Sequence, residues 1–136
     1  MDVAINYLAV IVATVVAVAI GVAWYGPLFG KQWMRLMGFS KEDMKDMKMS
    51  PTKAMTISSL ATLVMVFVLA QFVAMADVQT VAGSLHIALL IWIGFVATTL
   101  LNGVLFERRS LKHFYITAGH QFVAIAAAAV ILTLWP

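Results

Sequence analysis

The chain is predicted to be all-α, an integral membrane four-helix bundle, and three observations carry that expectation. Of its 136 residues 63% are hydrophobic and only 11% charged, with a mean hydropathy of +0.98. A water-soluble domain of this size does not tolerate so apolar a surface. Four stretches, Val3 to Ala23, Ala54 to Ala76, Leu85 to Phe106 and Phe114 to Trp135, contain no Asp, Glu, Lys or Arg. Each offers the about 20 apolar residues that cross about 30 Å of hydrocarbon. Finally, all nine Lys and Arg fall in two connections: Lys31, Arg35, Lys41, Lys45, Lys48 and Lys53 after span 1, and Arg108, Arg109 and Lys112 after span 3. By the positive-inside rule those connections are cytoplasmic, which places both termini and the Asp77 connection outside.

Span 1 is expected to remain in the protein, because a cleavable signal has a basic start and a shorter apolar core than this 21-residue run after Met1-Asp2. Its small residues Ala9, Ala13, Ala17 and Gly21 recur every fourth position and line one helix face. Such a stripe lets another backbone approach closely, in a setting where lipid supplies no hydrophobic drive for association. The partner is either another span of this chain or a neighbouring copy, and association with copies of itself is expected. The Ala126 to Ala129 run of span 4 is suited to the same packing.

The linker 24–53 opens with WYGPLFGKQW. Trp24, Tyr25, Phe29 and Trp33 suit the headgroup level, Lys31 and Arg35 can snorkel to water, and Gly26-Pro27 is read as ending one helix and starting another along the surface. The competing reading is a broken helix whose freed backbone groups line a binding site. From Gly38 to Ser50 a short amphipathic cytoplasmic helix is expected, with Ser40 and Asp43 as its capping pair. Ser50-Pro51 then caps and begins span 2. The methionines at 34, 37, 44, 47 and 49 raise copper(I), but the interleaved lysines repel a cation, so no metal is expected there.

Uncharged polar residues gather in the inner halves of three spans: Ser58, Ser59 and Thr62 in span 2, Thr98, Thr99 and Asn102 in span 3, Thr117, His120 and Gln121 in span 4. At about 1.5 Å per residue they share one depth. Either they are interhelical hydrogen bonds, or they line a polar cavity open to the cytoplasm, with Ser59, Thr62, Thr98, Asn102, Thr117, His120 and Gln121 as its candidates. An ionisable residue inside a span, here His120, is a functional candidate by default.

The two halves also echo each other. Gly26-Pro-Leu-Phe-Gly-Lys31 matches Gly103-Val-Leu-Phe-Glu-Arg108, and Lys53-Ala-Met-Thr-Ile-Ser58 matches Lys112-His-Phe-Tyr-Ile-Thr117. This suggests a parallel two-helix internal repeat about the membrane normal, or two ends that perform the same interfacial task.

Enzymatic chemistry finds no support. Without cysteine there are no disulfides or thiolate sites. Two histidines and a glutamate make a thin metal site, and neither a phosphate-cradling loop nor a nucleophile with its base is recognisable. No cofactor is expected, and the basic residues point to anionic lipid rather than nucleic acid.

WYGPLFGKQWM after the first span and LNGVLFERRSLKHF before the last resemble an uncharacterised family of small bacterial membrane proteins, domain of unknown function 1761. The resemblance spans nearly the whole chain. It implies a four-span protein of the bacterial cytoplasmic (inner) membrane and no particular activity. Two functions follow as expectations: a homo-oligomeric transport or permeation unit for a small polar solute, or a non-catalytic scaffold or accessory subunit whose basic face, Lys41, Lys45 and Lys48 included, holds anionic lipid or a partner protein.

Overall fold

A computed structural model describes residues 3–37 and 51–136. Their regular structure is entirely helical: α1 (Tyr7–Ala23), a π-helical turn (Trp24–Leu28), α2 (Gly30–Met37), α3 (Pro51–Met75), α4 (Val81–Ile91), a π-helical segment (Trp92–Ala97), α5 (Thr98–Phe106) and α6 (Leu111–Leu134). Four continuous helical runs, Tyr7–Leu28, Thr52–Met75, Val81–Phe106 and Leu111–Leu134, are long and apolar enough to cross a membrane. The helix expected between Gly38 and Ser50 lies outside the described residues.

Side-chain caps set three of the helix starts. Asn6 accepts from the Ala9 N–H at 3.2 Å, Thr80 from Gly83 at 3.0 Å and Ser110 from His113 at 3.0 Å, each satisfying a donor the helix leaves free. Two helix ends place a non-glycine residue in the left-handed region, Asp77 at φ 53° and Arg108 at φ 58°. At Asp77 the N–H of Val78 returns to Val73 O and that of Asp77 to Ala74 O, both at 3.1 Å, a Schellman closure of α3. Arg108 stands in a like closure of α5, with the Arg109 N–H returning to Gly103 O at 3.0 Å, but its side chain has no preference for the left-handed region, which costs an L-residue about 1–2 kcal/mol. Part of that returns on substitution, since glycine also loses entropy on folding. Arg108→Gly is therefore expected to stabilise the fold by about 0.5–1 kcal/mol, read as a raised midpoint in denaturant titration of the detergent-solubilised protein.

The Gly26-Pro27 step does not end its helix, as the sequence reading expected. Proline has no N–H to give the preceding turn, and the chain widens into a π turn in which the Phe29 N–H reaches Trp24 O at 2.8 Å. The break falls two residues later, at Phe29 (φ −125°, ψ 8°), from which α2 folds back onto α6.

Helix α6 is the hub. It packs most extensively on α1, then on α4 and its continuation, and also on α2 and α3, while α3 also packs on α1. Small residues permit this. Ala9, Ala13 and Ala17 of the α1 stripe are buried, as are Ala124, Ala126, Ala128 and Ala129 of α6; all of these but Ala17 and Ala124 join Val66, Leu69 and Val73 of α3 in one tight core. Within the structure, then, the stripe meets a helix of its own chain. That core occupies the half of the bundle remote from the basic connections. In α3 no described residue before Val66 is buried, so α3 stands away from its neighbours toward the basic end.

The neighbouring pairs expected of a repeat, α1 with α3 and α4–α5 with α6, both pack, but the interface between halves is one-sided. Helix α1 meets α6 broadly, whereas α3 makes no comparable contact with α4–α5. The matched glycines differ too: a Cβ on Gly26 would meet nothing within 4 Å, while one on Gly103 would stand 3.3 Å from Arg109 Cγ.

Candidate functional site

Where α3 parts from α1 and α6, a cleft of about 510 Å³ opens between the three helices. From α3 it receives Ser58, Ser59 and Thr62, from α6 His120 and Gln121, and from α1 and its π turn Ala17, Gly21 and Tyr25. It extends along α3 from Met55 to Met65, a depth of about 15 Å at 1.5 Å per residue.

Two missing side chains shape the wall. A Cβ on Gly21 would stand 3.2 Å from His120 Nε2, so the glycine at the end of the α1 stripe makes the space that the imidazole fills. A Cβ on Gly119 would stand 3.2 Å from Trp24 Cζ2; its absence lets the indole lie across α6 and donate to Ile116 O at 2.9 Å. The π turn thereby sets two consecutive rings against His120, Trp24 at 6.3 Å between ring centroids and Tyr25 edge-on at 5.0 Å. Phe29 packs on Trp24 at 4.9 Å and Trp33 on Tyr25 at 5.7 Å. Of the aromatic cluster read as an interfacial anchor, Trp24 and Tyr25 are thus built into the bundle, half-buried, while Gly26, Pro27 and Lys31 are exposed.

Polar groups in this wall and beside it are incompletely matched. Thr62 donates to Ser58 O at 2.9 Å within its own helix. His120 Nδ1 and Thr117 Oγ1 are buried atoms without a hydrogen-bond partner. The Tyr25 hydroxyl faces Thr117, without closing a hydrogen bond of normal geometry. An unmatched polar atom in a dry environment costs about 1–3 kcal/mol, so the packing behind the rings of Tyr25 and Trp24 is held against a local polar penalty.

The residues grouped by depth in the sequence are divided by the structure. Ser59, Thr62, His120 and Gln121 share the cleft. Asn102 and Thr117 belong to a smaller pocket of about 300 Å³ between α5 and α6, with Glu107, Arg109 and His113. Thr98 is exposed, its hydroxyl bonded to Gly94 O at 3.0 Å. Sequence reasoning missed Tyr25 as a cleft wall and Trp92 as a second clamp. The Trp92 N–H donates to Ala118 O at 2.8 Å, and its ring meets Phe122 edge-on at 5.3 Å. The available signal was its place in the middle of an apolar run, where an indole N–H must find an acceptor within the protein.

Among the described residues no three His, Asp or Glu side chains converge to hold a metal ion. What the cleft offers is hydrogen bonding and ring surface, without a carboxylate or ammonium in its wall.

The family model for "Protein of unknown function (DUF1761)" matches residues 8–133. The chain belongs to that family. The match takes in every helix but the first residue of α1 and the last of α6, so the residues of the cleft, the aromatic clamp and the α6 hub lie within the matched region. No curated protein and no solved structure matches the chain significantly.

Proposed function

We propose that the protein is a multi-pass integral protein of the bacterial cytoplasmic membrane, basic end inward, whose cleft receives a small uncharged polar solute as part of transport or permeation. The observation that carries this is convergence: α3 brings Ser58, Ser59 and Thr62, and α6 brings Gln121 and His120, to one cavity against α1. A wall without full charge favours a neutral hydrogen-bonding solute over an ion. Assembly with a second copy is supported by the face of α4–α5. There Phe95 and Phe106 are 76% and 81% exposed, and Gly94 has open space around it, which admits a close helix–helix approach.

A second reading, a scaffold that holds anionic lipid, is favoured by one groove of about 350 Å³ between α2 and α6. Arg35, Lys112, Gln32 and Tyr115 meet there over an apolar floor of Leu36 and Ile116, the chemistry of a phosphate headgroup and its acyl stem. Native mass spectrometry of the gently solubilised protein separates the two. A retained small polar molecule, lost in His120→Ala and Thr62→Val, is the result expected of the first reading. Phospholipid alone, lost in the double variant Arg35→Gln/Lys112→Gln, would replace it with the second.

A further inference from the structure

A second cavity, of about 520 Å³, lies at the opposite end of the same three helices, away from the basic connections. We propose that it is a binding site for a small organic ammonium ion. Its architecture begins with Asn6. While Oδ1 caps α1, the Asn6 amide donates to the backbone oxygens of Trp135 and Pro136 at 3.4 and 3.2 Å, which ties the end of α6 to the start of α1. The left-handed residue that closes α3 is Asp77, and Gln79 Nε2 donates to its Oδ1 at 3.0 Å. The carboxylate is thereby set in the cavity wall with acceptor capacity to spare.

Among the described residues lining this cavity, the charged side chain is Asp77. All nine Lys and Arg lie between 31 and 53 or between 108 and 112, so none accompanies Asp77. The C-termini of α3 and α6 both end at the cavity, and their carbonyl ends add negative potential; the N-terminus of α1 is also here, its first turn satisfied by Asn6. Trp135 is among the lining residues, and a tryptophan ring is a surface on which an alkylammonium can rest. Independent of charge, Thr133 stands in the wall, only 7% exposed, with a hydroxyl that has no hydrogen-bond partner. Val73 and Leu132 supply apolar surface for the body of the ligand. A carboxylate without a Lys or Arg partner, a tryptophan, an unmatched hydroxyl and apolar walls make a site for a cation with an organic body rather than for an anion or a metal ion.

The test uses choline against its uncharged isostere 3,3-dimethylbutan-1-ol, titrated calorimetrically into the full chain in maltoside micelles. Choline is expected to bind at least tenfold more tightly than the isostere to the unaltered protein. Asp77→Asn is expected to abolish that preference. Asparagine also tolerates the left-handed region, so the turn is retained and charge alone is removed. Thr62→Phe, in the opposite cleft, should leave the preference intact. Equal or absent binding of the two probes to the unaltered protein overturns the proposal without recourse to any variant. So does a preference that survives Asp77→Asn, or one that Thr62→Phe removes.

Discussion

Gly30→Ala should unseat the junction between α1 and α2 and cost about 1–3 kcal/mol, the range of overpacking at a close contact. A Cβ at this buried glycine would stand 2.5 Å from the Tyr25 carbonyl oxygen and 3.1 Å from the carbonyl carbon. Both are backbone atoms, and no rotamer change can move them aside. The turn is also held from within by the Phe29 N–H to Trp24 O bond, so relief must come from displacing the π turn or α2. Either movement draws Tyr25 away from His120 and Trp33 and loosens the indole bond of Trp24 to Ile116 O. The expected readout is a lowered unfolding midpoint together with altered tryptophan emission. Gly26→Ala is the control inside the same motif: its Cβ would meet nothing within 4 Å, and the midpoint should hardly change. Equal effects of the two substitutions would refute the junction as described.

That contrast shows what the sequence could reveal and what it could not. Four long helices were legible because hydrophobic length and charge-free runs depend on composition alone. The helix starts were less so: the last two spans were read as beginning at Leu85 and Phe114, whereas the caps Thr80 and Ser110 start them at Val81 and Leu111. Depth was legible as well, since it follows from counting residues along an axis. Azimuth was not. These helices are apolar on nearly every side and lack the amphipathic stripe that ordinarily identifies the inward face. Ser59 and His120 therefore share a cleft while Thr98, at a similar depth, points outward, and no periodicity in the sequence separates them. The α1 stripe fared better because small residues mark close approach whatever surrounds them, although only the structure shows that α6 is what approaches.

Proline at 27 was misjudged for a related reason. A Gly-Pro step disfavours the α-helix, and a stop was the natural reading. The rule concerns hydrogen bonds of the ordinary turn, and a π turn relieves the same conflict while keeping the chain helical. The consequence reaches the cleft. Because the helix continues to Leu28, Trp24 and Tyr25 remain on a wall facing α6 instead of trailing into an interfacial loop.

Ala13→Leu should be the most damaging single substitution in the core, at about 2–3 kcal/mol or more. Ala13 is fully buried where α1 meets α6, in the cluster that includes Val66, Ala128 and Ala129, also fully buried. The three added carbons have no space among backbones brought together by small residues, so α1 and α6 must separate. Because α1 carries Gly21 and α6 carries His120, the separation should also open the cleft, and loss of any ligand retained there would accompany loss of stability. Val15→Leu, two residues away, makes a fair comparison. Val15 is 63% exposed, and its replacement should be neutral to within about 0.5 kcal/mol. Unfolding in mixed micelles titrated with dodecyl sulfate measures both. Similar midpoints would mean that α1 does not pack on α6 through its small-residue face; a large drop for Ala13→Leu alone would identify that seam as what holds the two cavities apart.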